Sequence, residues 1–116
     1  MDHITIQDFG KVDIRIGTVK KAEVPEWSHW VIKLTIDFGS EIGEKIIFSG
    51  IMKFYKAKDL ENKQFPFVVN LVPKKIGPQG DYSNGMLMAV STGETEEDKP
   101  ALFNLKEKVE NGSKVL

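Results

Sequence analysis

Val12, Ile14 and Ile16 alternate with Asp13 and Arg15 near the start of the chain, the period-two pattern of a half-buried strand. After Gly17 the phase slips, because Val19 and Ala22 no longer fit that alternation. A glycine at such a slip predicts a bulge or a sharp coil of the strand. Small barrels use a long, bent first strand to serve both halves of the sheet. Ile32, Leu34, Ile36 and Phe38 resume strict alternation against Lys33, Thr35 and Asp37, and Gly39 ends that strand. Ile46 and Phe48 open a third, joined to the second by Ser40-Glu41-Ile42-Gly43-Glu44, a glycine-containing hairpin connection.

The pattern then changes. Ser49-Gly50 breaks the alternation, and Ile51, Phe54, Tyr55 and Leu60 recur at mixed helical spacing, predicting one or two short helical turns. Phe65, Phe67, Val69 and Leu71, with Val68, Asn70 and Val72 on the other, mostly apolar face, read as a fourth strand covered on both sides. Residues 73–85, with two prolines and three glycines, read as a loop; residues 86–90 form a fifth strand and residues 101–105 a short sixth. The acidic residues 92–100 between them are expected to be exposed, and Asn111-Gly112 marks a tight turn. At the N-terminus, Thr5-Ile6-Gln7-Asp8-Phe9-Gly10 reads as one helical turn with Thr5 as cap, Asp8 at the capping-box position and a closing glycine. Three strands, a short helical insert and two strands is the order of the oligonucleotide/oligosaccharide-binding (OB) fold, an all-β, five-stranded Greek-key barrel, here with a C-terminal extension. Periodicity alone leaves another small all-β barrel or sandwich open.

Composition narrows the chemistry. The chain has 116 residues, 41% apolar and 28% charged, which suits one globular domain spanning residues 1–116. It has no cysteine, which excludes a disulfide framework, a thiol nucleophile and cysteine-ligated metals. His3 and His29 are its only histidines, so no multi-histidine metal site is expected. Asp13 and Asp37 lie on polar strand faces and read as solvated surface acids rather than a catalytic pair. Gly77-Pro78-Gln79-Gly80 lacks the spacing and the lysine of a phosphate loop. No enzymatic activity, catalytic residue, metal or cofactor is expected. No apolar run approaches the roughly 18 residues of a membrane span, and no export signal is visible. No membrane association is expected, and the expected setting is the cytoplasm.

The total charge of −1 argues mildly against a nucleic-acid partner, but it averages an uneven distribution. Residues 1–52 carry a net −2, residues 53–80 a net +4 and residues 81–116 a net −3. The basic block contains Lys53, Lys56, Lys58, Lys63, Lys74 and Lys75, with Phe54, Tyr55 and Tyr82 within or beside it. Lysines neutralise phosphates and exposed aromatics stack on unpaired bases. The same residues also suit a solvated face and a core. Ser83 offers a hydroxyl that donates and accepts, Met86 a polarizable surface, and Gly85 a close approach of ligand or backbone.

Several segments together carry a resemblance: Asp8-Phe9-Gly10-Lys11-Val12-Asp13-Ile14-Arg15-Ile16-Gly17-Thr18-Val19, Leu34-Thr35-Ile36-Asp37-Phe38-Gly39, Ser49-Gly50-Ile51, Phe54-Tyr55, Val69-Asn70-Leu71, Pro73-Lys74-Lys75 and Ser83-Asn84-Gly85-Met86-Leu87. Over residues 8–115 the chain resembles the tRNA-binding domain family. That family includes free-standing tRNA-binding proteins, the C-terminal domain of methionyl-tRNA synthetase and CsaA-type secretion chaperones. The resemblance implies an OB barrel that binds tRNA by structure rather than by anticodon sequence, as a homodimer whose chain ends help form the interface. It maps tRNA contact onto Ser83 and Met86, and the preceding lysines onto Lys74 and Lys75; Lys53 joins them as a candidate phosphate ligand. Methionyl-tRNA synthetase is the implied partner enzyme. The family's His-Pro-polar-Ala-Asp-Lys-Leu run stands here as Val24-Pro25-Glu26-Trp27-Ser28-His29-Trp30. This departure makes Trp27 and Trp30 candidates for a core cover, a dimer seam or a peptide surface. An export chaperone that binds unfolded polypeptide is therefore the alternative reading.

Overall fold

The computed structural model describes residues 1–116. The capped turn at the N-terminus forms as α1 (Ile6–Phe9), with Thr5 and Asp8 exchanging both bonds of the capping box. The alternating segments become β1 (Ile14–Glu23), β2 (Ile32–Asp37) and β3 (Glu44–Ser49), an antiparallel meander. In β2 the alternation is realised completely: Ile32, Leu34 and Ile36 are fully buried, and Lys33, Thr35 and Asp37 face outward. A helical turn, α2 (Gly39–Ile42), occupies what the sequence suggests is a simple hairpin loop.

After a turn at residues 51–55, α3 (Ala57–Leu60) drives Leu60 into the core. Then β4 (Gln64–Val68) lies against the first half of β1. The main sheet runs β3-β2-β1-β4-β7, where β7 is Met86–Leu87. The sheet curls until its edges meet, so that β3 bonds the chain just before β7. Asn84 N–H donates to the Ile46 carbonyl at 2.9 Å, and Phe48 N–H donates to Ser83 Oγ at 2.9 Å. This is the OB-type barrel that the element order predicts. Its core holds Val19, Leu34, Ile36, Phe38, Ile47, Leu60 and Phe65, with Phe38 and Phe67 edge to face at 5.4 Å.

β1 changes partner along its length, pairing β4 through residues 14–18 and β2 through residues 18–23. The register shift lies between Val19 and Lys21, later than the glycine that suggests it. Gly17 serves a different need. A Cβ there would lie 2.5 Å from Ile36 Cγ2 and 2.8 Å from Phe38 Cε1, so the missing side chain is what lets those two pack.

Three boundaries differ from the pattern reading. The fourth strand ends at Val68, leaving Leu71 and Val72 exposed, because the Asn70 side chain turns the chain there: its Oδ1 accepts from Asp13 N–H and its Nδ2 donates to the Lys11 carbonyl. The fifth strand splits into β7 and β8 (Ala89–Val90) at Met88, which donates to the Pro66 carbonyl. Proline has no N–H to return, so the ladder breaks. The sixth shortens to β9 (Ala101–Leu102), paired with β8 around the acidic loop. Beyond it, residues 112–115 lie along the start of β1, with Ile16 N–H donating to Ser113 O and Val115 N–H to Ile14 O. Arg15 ties this tail down by donating to the Gly112 carbonyl and to Asp13, whose hydrogen bond holds the guanidinium pKa above its usual value. No helix is long and apolar enough to cross a membrane.

Candidate nucleic-acid interface

Residues 73–85 are not an irregular loop. They form a two-stranded ribbon, β5 (Lys74–Ile76) and β6 (Asp81–Ser83), turning through Gly77-Pro78-Gln79-Gly80. Gly77 and Gly80 both have positive φ, which glycine adopts without strain. The cross-strand pairs are Lys74 with Ser83, Lys75 with Tyr82 and Ile76 with Asp81. Lys75 and Tyr82, both exposed, are thus cross-strand partners, and the Lys75 side chain runs alongside Gly80. Neither Lys74 nor Lys75 belongs to an ion pair, whereas Lys11, Arg15, Lys20, Lys21 and Lys53 all do.

The candidate contacts separate by exposure. Lys74, Lys75 and Met86 are exposed, and Met86 follows the ribbon directly. Ser83 is buried, only 8% exposed, and its hydroxyl is already used: Oγ accepts from Phe48 N–H and donates to Gly85 O at 3.4 Å. Its hydroxyl closes the barrel where a backbone carbonyl would otherwise be required. Gly85 is likewise a packing residue, since a Cβ there would lie 2.5 Å from the Val68 carbonyl.

Lys53 sits elsewhere. Its ammonium is 2.6 Å from Glu97, on the wall of a cleft of about 640 Å³ lined by His29, Trp30, Phe54, Glu96, Asp98 and Pro100 among others. Asp98 is anchored by Thr95, whose backbone N–H and hydroxyl both donate to it and lower its pKa. The cleft thus combines aromatic surface with an acidic rim that repels phosphate. Trp30 is half exposed on this cleft, and Trp27 is half-buried beside it with ring centroids 5.9 Å apart. Trp27 also reaches Phe48 at 6.1 Å. The two tryptophans therefore join the ribbon side of the surface to the cleft side.

Remaining polar residues make structural bonds. Asp13 is spent on Arg15, and Asp37 accepts from Gly39 N–H. No group of three or more His, Asp or Glu side chains is gathered as a metal site. Tyr82 is an exposed ribbon residue that sequence reasoning leaves out of the candidate set, although it marks the residue as an aromatic beside the basic block. Its partnership with Lys75 needs the ribbon register to be seen.

The family model described as "Putative tRNA binding domain" matches residues 14–114. The chain belongs to the tRNA-binding domain family. It is 39% identical over 115 residues to a methionine–tRNA ligase of Caldanaerobacter subterraneus subsp. tengcongensis, covering 99% of this chain and 17% of that enzyme. The chain thus spans about a sixth of the length of the curated ligases it matches. Among solved structures it is similar to a MetRS-related protein from Pyrococcus horikoshii, with a TM-score of 0.86, 39% identity and full coverage of both chains. It is also similar to the chaperone CsaA of Bacillus anthracis, with a TM-score of 0.81 and 33% identity, covering 99% of this chain and all of that one. As a member of this family the domain shares its OB-type barrel, with the ribbon and the β1–β2 loop at the rim where such barrels take ligands.

Proposed function

We propose that this domain binds tRNA by shape and backbone rather than by base sequence, as a cytoplasmic homodimer without catalytic activity that delivers tRNA to methionyl-tRNA synthetase. The observation that carries this reading is the exposed ribbon with two unpaired lysines and Tyr82, next to Met86. In this reading Lys74 and Lys75 neutralise phosphates, and Tyr82 and Met86 lie against the RNA surface. Ser83 acts by holding the ribbon base, and Lys53 contributes only when it leaves Glu97. The gathering of chain ends supports the dimer. Residues 112–115 bond to β1 and Asn70 bonds to residues 11 and 13, so exposed Phe9, Val12, Leu71, Val72 and Leu116 belong to one end of the barrel. Two copies related by a two-fold axis double the basic footprint.

The test is a tRNA titration at several salt concentrations. Wild type gives a negative log–log slope, and Lys74→Ala with Lys75→Ala makes that slope shallower by about 2, close to one for each phosphate no longer neutralised. Absence of binding at low salt refutes the reading. The cleft at Trp30 supports a second one, a surface for unfolded polypeptide, because its aromatic lining and acidic rim suit a basic peptide better than RNA. Protection of an unfolded client that tRNA does not compete away favours that alternative.

A further inference from the structure

We infer that Trp27 is a positioning residue for RNA binding: its indole locks the β5–β6 ribbon in the posture that presents Lys75 and Tyr82. The functional part rests on the tRNA-binding reading above; the lock itself rests on geometry. Two three-residue strands do not hold a ribbon by themselves, and an isolated hairpin is marginal in water even when longer. Here the ribbon is made of exposed or half-buried residues apart from Ser83 at its base. It therefore needs fixing from outside at both ends.

The base is fixed by the Ser83 and Asn84 bonds to β3. The tip is fixed by Trp27. A Cβ built on Gly77 would clash with the six-membered ring of the indole, 2.5 Å from Cη2 and 2.7 Å from Cε2, so the indole lies directly against the backbone of the turn. The platform beneath it is rigid for a local reason. Ser28 is buried, 4% exposed, and its Oγ accepts from the N–H groups of Trp30 and Val31, pinning the loop immediately after Trp27. Phe48 completes the platform. It pairs with outward-facing Lys33 and lies outside the core cluster, yet it is only 8% exposed, with Trp27 close to its ring and Ser83 on its N–H. A ribbon held in place before RNA arrives spares the complex the cost of ordering it.

The experiment uses the full chain with Trp27→Phe as the principal variant and Gly77→Ala beside it. Phenylalanine still covers Phe48 but is too short to reach Gly77; alanine at 77 meets the indole and also strains a backbone at φ 75°, so Gly77→Ala is a positive control for a loosened ribbon and Trp27→Phe alone decides the lock. Backbone amide exchange over residues 75–82 is expected to accelerate about tenfold or more in both, while exchange in β2 stays unchanged. tRNA affinity is expected to fall on the order of tenfold with the salt slope kept, because both lysines remain. Removal of Lys74 and Lys75 has the opposite signature, a shallower slope with unchanged exchange. Unaltered exchange in Trp27→Phe overturns the lock whatever RNA does. Faster exchange with full affinity overturns the positioning role. If wild type binds no tRNA, the positioning role fails with the RNA reading, and exchange alone still decides the lock.

Discussion

Replacing Ser83 by alanine separates two roles that the family resemblance runs together. As a direct tRNA contact, Ser83 would lose affinity without losing stability. In the structure its Oγ is the acceptor for Phe48 N–H at 2.9 Å, at the seam where β3 meets the end of β6. Alanine leaves that N–H without a partner in a residue only 8% exposed. An unsatisfied buried donor costs about 1–3 kcal/mol. The 3.4 Å bond to Gly85 O is long and adds little. The expected loss is therefore about 2 kcal/mol, softened if water enters the seam. With an m-value of about 2 kcal/mol/M, the urea midpoint falls by about 1 M. In a thermal scan the same loss lowers Tm by roughly 8 °C for a domain of this size. The assay is urea unfolding followed by tryptophan fluorescence and by far-UV circular dichroism, with tRNA titrations run well below the transition. A midpoint within about 0.3 M of wild type, at the same m, refutes the seam account and returns Ser83 to the role of a direct contact.

Two further predictions test the packing and the acidic loop. Gly17→Ala sets a Cβ 2.5 Å from Ile36 Cγ2 and 2.8 Å from Phe38 Cε1, both on fully buried side chains, and should cost about 1–3 kcal/mol in urea unfolding; equal or higher stability refutes the close fit. Asp98 is held below its usual pKa of 3.8 by the backbone N–H and then the hydroxyl of Thr95. A carboxyl with a depressed folded pKa orders its surroundings above the unfolded value and releases them as pH falls through the folded one, so the loop should keep its shape at pH 3.8 and open only below it. Carboxyl NMR titration reads this directly: Thr95→Ala should move the Asp98 midpoint back toward 3.8, and a wild-type midpoint at or above that value refutes the anchoring.

Much of the barrel was legible because burial on one face of a strand writes itself as period two. Residues 32–37 show this best, with every second side chain fully buried as the alternation requires. The capping box at Thr5 and Asp8 was also suggested by the sequence, since it depends on two residues three apart, and it forms. The ribbon was not legible. Glycine and proline at residues 77, 78 and 80 read as loop, and its short strands bury too little to leave an alternation. The early end of β4 was hidden for a similar reason: Val69, Leu71 and Val72 look like strand, and only the amide of Asn70, reaching residues 11 and 13, turns the chain away.

By itself, then, the sequence determined an all-β class, the chain order of the main strands, the lack of cysteine chemistry and the basic block at residues 53–80. These are local properties, set by periodicity and residue type. Only the tertiary structure decided how members of that block are placed. It sends Lys53 to Glu97 and leaves Lys74 and Lys75 unpaired. It sets Lys75 beside Tyr82, spends the Ser83 hydroxyl on Phe48, and places Trp27 against Gly77, fifty residues away. Each of these depends on contacts between residues far apart in the chain, and barrel closure is what brings them together.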